Sequence, residues 1–226
     1  SAILIVLIGV IMFFFAGADI FQLSVAGIIR TVTFFLLIKK LDYARQRLDD
    51  YMLIWRDPEN ISYHIRQSLI ALGSGGLFGV GLGQSEQKLG YLPAAHTDSI
   101  FAVIGEELGF VGCLVVILLF ALLIYRGFKI TMQAADSFSA LLACGVTCSL
   151  ALQAVFNIAV ITGLVPFTGI ALPFISSGGS TMVVSGASVG LLLSVARGKP
   201  VATRRKRTAQ SYADMDRRWG NRGTRV

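Results

Sequence analysis

The sequence predicts an all-α integral membrane protein with about five transmembrane helices, and two observations support this class. Hydrophobic residues make up 54% of the 226 residues and charged residues only 15%, which is far from the composition of a soluble domain. No charged side chain occurs between Ser137 and Ala196, although a helix needs only about twenty apolar residues to cross the hydrocarbon core. Most of the chain, residues 1–197, is therefore predicted to form one transmembrane domain.

Two apolar stretches open the chain. Residues 1–16 are apolar but too few for a full membrane crossing. Because the sequence starts within apolar residues, we expect this segment to be the remaining part of a longer transmembrane helix. A signal-peptide core is the alternative, but it has neither a basic region before it nor a clear cleavage site after it. Residues 20–38 form the next predicted helix, which is interrupted by Arg30.

Three further helices are predicted after a polar insert. Residues 100–125 form an apolar run whose only acids lie near its start. Residues 138–162 and 180–196 fit two more spans. The segment between these two, 163–179, is rich in glycine and proline, which turns and re-entrant segments accept.

The distribution of charge predicts the orientation of the chain. Its net charge is +7, and ten of its twenty basic residues lie from Arg197 onward, against two acids. By the positive-inside tendency, the tail 198–226 is predicted to be cytoplasmic, where it touches anionic headgroups and is disordered. Because each span changes sides, the loop 39–99 and the re-entrant loop 163–179 are predicted to be external.

The long loop 39–99 has an internal organisation. Its basic residues would be external against the orientation rule, which suggests a local role such as contacting phosphates. The stretch from Tyr63 to Leu72 is amphipathic and predicts a helix at the membrane interface. The glycine-rich stretch that follows lacks a nucleotide-binding pattern. It predicts either a closely packed loop beside a lipid-linked substrate or a set of tight turns.

Asp98 ends this loop and stands at the mouth of the next predicted span. An ionisable group at such a depth is costly unless it is solvated or paired, so it is a functional-site hypothesis. The alternative is a structural role, in which Asp98 caps the helix that starts at Ser99 or Ile100.

Two sequence blocks resemble a known family. Residues 67–112, which include HTD and GEELG, resemble the signature of the FtsW, RodA and SpoVE proteins, the SEDS family of peptidoglycan glycosyltransferases. The block GLVPFTGIALPFISSGGS, residues 163–180, is similar to the loop between the family's last two helices, where many members have a tyrosine at the position of Ser177. The RxRL and WxDP pattern within residues 45–58 also fits. The basic tail leans toward a division member such as FtsW.

The resemblance implies the last five helices of a ten-helix fold, so part of the site is expected outside this chain, and this chain alone can be inactive. It also implies polymerisation of lipid II on the outer face of the bacterial cytoplasmic membrane, in cell division or cell-shape maintenance. In that reaction the 4-hydroxyl of one lipid-linked disaccharide attacks the anomeric carbon of another, and undecaprenyl pyrophosphate leaves. Asp98 matches the family's catalytic aspartate, which would act as general base.

Further side chains are candidates for binding this substrate, either as cations that stabilise pyrophosphate or as polar groups near Asp98. They are Lys88, His96, Thr97, Arg45, Arg47, Arg56, Arg66, Ser176, Ser177, Gly178, Gly179 and Ser180, and a structural role is the alternative for each. Glu106 and Glu107 are predicted to pair with basic loop residues. Gln153 and Asn157 are predicted to form hydrogen bonds between helices.

The residues show no metal-ligand spacing, but a divalent cation, Mg²⁺ or Mn²⁺, is compatible with a site between substrate pyrophosphate and one carboxylate. The expected partners are lipid II, glycan linked to undecaprenyl pyrophosphate, the membrane, a class B penicillin-binding protein transpeptidase and other divisome or elongasome proteins. Nucleic acid is not an expected partner. Two alternatives to the enzyme remain, a flippase or transporter of lipid-linked precursors and a scaffold without catalytic activity.

Overall fold

The structure, a computed structural model, describes residues 2–17, 27, 51–52, 63–85, 98–166 and 168–198. These residues contain five long α-helices and no β-strand, which confirms the predicted all-α fold. The helices are α1 (Ala2–Phe15), α2 (Tyr63–Ser74), α3 (Ile100–Gln133), α4 (Ser137–Ile161) and α5 (Gly179–Arg197). Apart from Gly27, the predicted helix 20–38 lies outside the described residues, as does the basic tail beyond Gly198.

Three helices, α3, α4 and α5, are long and apolar enough to cross a membrane, with mean hydropathies of 2.9, 1.9 and 1.6. The apolar part of α1, Leu4–Phe15, is shorter. The helix α2 has the amphipathic sequence that predicted it in the long loop. The length and composition of these helices are typical of a membrane protein with several transmembrane helices.

The helix α3 is longer than its apolar sequence predicts. The predicted end is residue 125, but the helix continues to Gln133 through Arg126 and Lys129, which are good helix formers. It ends where Ala134 takes an extended conformation with ψ 147°. The part of α3 from Phe110 to Gln133 alone has 24 residues and is about 36 Å long, so it extends beyond a hydrocarbon core of about 30 Å.

The helix α4 is central, since it contacts each of the other four helices. Small residues allow two of these close contacts. A Cβ atom on Gly127 of α3 would lie 2.4 Å from Oγ1 of Thr147, and one on Gly145 would lie 2.9 Å from the sulfur of Met12 in α1. Close approach at small residues is typical of helix packing in membranes.

A buried apolar cluster holds the start of α3 in place. It joins α2, α3 and α4 to the connection between α4 and α5, and it consists of Ala71, Phe101, Ala102, Val103, Cys113, Phe120, Ala154, Ile161 and Leu172. The beginning of α3, the end of α4 and the beginning of α5 thereby lie at the same end of the helices. The acid identified in the sequence immediately precedes that beginning of α3.

Candidate functional site

Asp98 lies directly before α3, but it is not the N-cap of that helix. The N-cap position belongs to Ser99, which is fully buried and whose carbonyl accepts a hydrogen bond from the N–H of Ala102 at 2.9 Å. Asp98 is half-buried and lines a cavity. Asp98 therefore lines the cavity from the position before the N-cap, and the capping position itself is occupied by Ser99.

The cavity beside Asp98 has a volume of about 520 Å³, which is within the range of small-molecule sites. Gln153 and Ser149 enter it from α4, and Thr181 enters it from α5. Ser176 and Gly178 line it from the connection between these two helices. Apolar side chains of α1 complete the wall. An acid, an amide and several hydroxyl groups thus surround one space at the end of three apolar helices.

Asn157 in α4 binds the main chain of two segments that line this cavity. Its Nδ2 atom donates to the carbonyl oxygen of Asp98 at 2.8 Å and to the carbonyl oxygen of Ile170 at 2.7 Å. The residue is only 2% exposed. Asn157 was predicted to form hydrogen bonds between helices, but it forms them with the backbone of two loops instead. Gln153 donates to Oγ of Ser149 within its own helix, at 3.1 Å.

The connection between α4 and α5 is irregular where it meets the cavity. Phe174 has φ 66°, which is unusual and strained for a bulky residue, and its ring packs 6.5 Å from that of Phe120. Two residues later, Ser176 is buried, and its Oγ accepts a hydrogen bond from the N–H of Gly178 at 3.4 Å. The connection thus brings the buried Ser176 to the wall of the cavity, beside Gly178.

The helix α3 is kinked at Gly109, which has φ 68° and ψ −164°. In a continuous helix, the carbonyl groups of Glu106 and Glu107 would accept hydrogen bonds from residues four positions later. They accept instead from the glycine-rich loop, at 3.0 Å from the N–H of Val80 and 3.1 Å from the N–H of Gly81.

The backbone N–H groups after the kink are also bonded to this loop. The N–H of Phe110 donates to the carbonyl of Gly76 at 2.9 Å, and that of Val111 donates to the carbonyl of Leu77 at 3.2 Å. Non-helical backbone at membrane depth requires such partners, because lipid offers none. The glycine-rich loop therefore completes the hydrogen bonds of a broken helix.

The glycines of this loop allow the two backbones to touch. A Cβ atom on Gly79 would lie 2.2 Å from the carbonyl oxygen of Glu107, and one on Gly75 would lie 1.9 Å from that of Gly105. Real Cβ atoms essentially never approach so closely. Of the two sequence-based interpretations, the closely packed loop describes this segment better than a set of isolated turns.

Glu106 is buried in α3, where it is 3% exposed. The hydroxyl group of Ser85, itself 2% exposed, donates a hydrogen bond to Oε2 of Glu106. The predicted basic partners other than Arg66 lie outside the described residues. Within the described part, Glu106 therefore connects α3 to the end of the glycine-rich loop, and it does so through a hydroxyl group.

Several predicted substrate-binding residues lie outside the described residues. They are Lys88, His96, Thr97, Arg45, Arg47 and Arg56. Arg66 is exposed on α2 and is not among the residues that line the cavity of Asp98. Ser177 and Gly179 are exposed.

A smaller cavity of about 210 Å³ shares Gln153 with the cavity of Asp98 and is also lined by Ser180. It extends between α4 and α5 to Ser185 and Ser188. Thr181 and these two serines were not predicted. Their spacing places them on one face of an otherwise apolar helix, which is a signal that the sequence does contain.

The fold and the site define a class, a helical membrane protein in which an acid lines a cavity with polar and apolar walls where apolar helices meet. The chain belongs to the FtsW/RodA/SpoVE family of cell cycle proteins, whose model matches residues 1–200. This confirms the family that the sequence motifs indicated.

Curated relatives show the same relationship. The chain is 45% identical over 188 residues to stage V sporulation protein E of Bacillus subtilis (strain 168), covering 83% of this chain and 51% of that protein. It is 42% identical over 195 residues to the probable peptidoglycan glycosyltransferase FtsW of Geobacter sp. (strain M18), covering 86% and 53%. The chain therefore spans about half the length of the curated relatives it matches.

A solved structure has a similar fold. A chain from a peptidoglycan synthase complex that coordinates polymerization and crosslinking superimposes with a TM-score of 0.66 at 26% identity. The match covers 87% of this chain and 55% of that chain.

Proposed function

We propose that this chain is part of a peptidoglycan glycosyltransferase that polymerises lipid II into glycan strands, with Asp98 as general base. The observation that carries the proposal is the position of Asp98 on a cavity of about 520 Å³ lined by polar groups of α4, α5 and their connection. Family membership and the name of the Geobacter relative support it.

The proposed reaction needs a group that accepts a proton. The 4-hydroxyl oxygen of one lipid-linked disaccharide forms a bond to the anomeric carbon of another, and the bond from that carbon to the pyrophosphate oxygen breaks. The carboxylate of Asp98 takes the hydroxyl proton as the new bond forms. A positioned base typically contributes about 100- to 10,000-fold to the rate of such a step.

The amide and hydroxyl groups of the cavity would bind the sugars. Gln153 and Thr181 can donate and accept hydrogen bonds, as sugar hydroxyl groups require. Ser176, Ser177, Gly178, Gly179 and Ser180 remain candidates on the same side. The leaving pyrophosphate would be stabilised by Lys88, Arg45, Arg47, Arg56 or Arg66, because cations there offset its developing charge. His96 and Thr97 remain candidates for polar contacts with the substrate near Asp98.

A divalent cation, Mg²⁺ or Mn²⁺, is proposed only as a companion of the pyrophosphate. The described residues contain no group of three or more histidine, cysteine or acidic side chains that could hold a metal ion. No step of the proposed mechanism depends on a divalent cation.

The proposed location is the bacterial cytoplasmic membrane, with the cavity of Asp98 at the outer face and the basic tail in the cytoplasm. The ten basic residues from Arg197 onward support this orientation. A class B penicillin-binding protein transpeptidase is the proposed partner, since the similar solved chain comes from a complex that couples polymerization to crosslinking.

The proposal is tested with the full-length protein, purified and supplied with lipid II. We expect glycan strands from the wild type and none from Asp98→Asn, with both proteins folded. A flippase would instead move lipid II across vesicle membranes, would retain that activity in Asp98→Asn and would form no polymer. Either absence of polymer from the wild type or full polymerisation by Asp98→Asn would reject the proposal.

A further inference from the structure

We propose that Asn157 is a positioning residue for Asp98, an inference that rests on the proposed role of Asp98 as base. The Nδ2 atom of Asn157 donates one hydrogen bond to the main chain of Asp98 and another to the main chain of Ile170. Asp98 and Ile170 both line the same cavity, although they belong to distant segments of the chain. One buried amide group therefore holds the backbone of these two segments together at the wall of the cavity.

The geometry defines which atom of the amide makes these contacts. Both partners are carbonyl oxygen atoms, which accept hydrogen bonds and cannot donate them. Only the NH₂ group of Asn157 can serve both, at 2.8 Å and 2.7 Å. Because the NH₂ group of Asn157 has two protons, these two contacts use both of them.

The Oδ1 atom of the same amide is buried, and within the described residues it accepts no hydrogen bond. In this part of the chain, the amide therefore contacts the site through its Nδ2 atom.

Asn157 is well suited to this task because its own position is rigid. It is 2% exposed in α4, the helix that contacts all other described helices. Asp98, in contrast, precedes α3, and the N-cap Ser99 beside it makes no side-chain capping hydrogen bond. The contact with Asn157 therefore attaches the acid to the most firmly packed helix of the described structure.

The test uses the full-length protein with lipid II as substrate and compares Asn157→Ala and Asn157→Asp with the wild type. The aspartate variant conserves volume but loses the two NH₂ donors. We expect kcat to fall about 100-fold in both variants, as for a displacement of roughly 1 Å at a catalytic group, while KM stays within about threefold.

Thr147→Val is the matched control. Thr147 is a buried polar residue of the same helix, but within the described residues its hydroxyl group donates to the carbonyl of Ala143 in its own helix, at 2.7 Å. We expect this variant to lose thermal stability without a change in kcat. Asn157 variants that keep the wild-type kcat would overturn the inference. It would also be overturned if an Asn157 variant lost no more kcat than Thr147→Val at the same melting temperature.

The outcome also separates this inference from the proposed function. If Asp98→Asn polymerises lipid II normally, the role of Asp98 fails and the role of Asn157 fails with it. If Asp98→Asn is inactive while both Asn157 variants turn over normally, only the inference about Asn157 is wrong. Should Asn157→Ala not fold, the isosteric Asn157→Asp decides between these results.

Discussion

The backbone N–H of Val80 donates a hydrogen bond to the carbonyl oxygen of Glu106 at 3.0 Å, across the kink of α3. This contact replaces a hydrogen bond that a continuous helix would make within itself. The glycine-rich loop therefore acts as part of a membrane helix, and the conformation of α3 at the kink depends on a segment about 25 residues earlier in the chain.

Gly79→Ala is predicted to be strongly destabilising. Gly79 has φ +78°, and its added Cβ would lie 2.2 Å from the carbonyl oxygen of Glu107. We expect a loss of about 3 kcal/mol or more in the free energy of unfolding, measured in detergent. Gly83→Ala is the control, since Gly83 has φ +80° but no atom within 4 Å of the added Cβ. It should cost only about 1–2 kcal/mol for the left-handed conformation, and equal effects of the two variants would contradict the packing account.

Ser85→Ala is predicted to destabilise the end of the glycine-rich loop. The variant removes the hydroxyl group that donates to the buried carboxyl of Glu106, so a buried acceptor loses one partner. We expect a loss of about 1–3 kcal/mol in the free energy of unfolding. Ser74→Ala, at an exposed position of α2, should change it by less than about 0.5 kcal/mol. Equal changes in the free energy of unfolding for the two serine variants would show that the Ser85–Glu106 contact does not stabilise the fold.

Gly127→Ala is predicted to separate α3 from α4. Its Cβ would lie 2.4 Å from Oγ1 and 2.6 Å from Cγ2 of Thr147. Overpacking of this kind typically costs about 1–3 kcal/mol. The added Thr147→Ala substitution removes both of these atoms, so the double variant should be more stable than the two single effects predict. Additive effects in thermal unfolding would show that the two residues do not compete for space.

The stabilising effect of Asp136 is predicted to depend on pH. The carboxylate of Asp136 caps α4, and hydrogen bonds from the backbone N–H and then the hydroxyl of Ser139 lower its pKa below the ordinary value of 3.8. Because the folded-state pKa is lowered, this contribution is complete above the unfolded value and disappears as the pH falls through the folded value.

The corresponding measurement compares the melting temperatures of wild type and Asp136→Ala as the pH is lowered. We expect the wild type to melt higher at neutral pH and the difference to shrink below about pH 4. A difference that stays constant from neutral pH to acid would show that the charge of Asp136 does not stabilise α4.

The sequence contains much of this fold because membrane helices leave a simple pattern. The apolar runs predicted α4 and α5 to within one residue of their observed ends. The observed α3 continues past its predicted end at residue 125 to Gln133, because charged residues such as Arg126 and Lys129 readily continue a helix beyond the bilayer.

The site was predictable only in part from the sequence. Asp98 could be identified because an acid beside a span is rare. The contacts of Asn157 with Asp98 and Ile170 could not, since they join a side chain to backbone groups of distant segments. The backbone hydrogen bonds between the glycine-rich loop and α3 could not be predicted either, because the only sequence feature that accompanies them is the high glycine content of the loop.

The most direct test of the central claim is the kcat of lipid II polymerisation by Asp98→Asn in the full-length protein, at saturating lipid II and with lipid II binding measured in parallel. Asparagine has nearly the same size but cannot accept the hydroxyl proton as a base. The proposed mechanism predicts a fall in kcat of at least about 100-fold, with lipid II binding retained. A kcat within about threefold of the wild type would show that the reaction does not use Asp98 as its base.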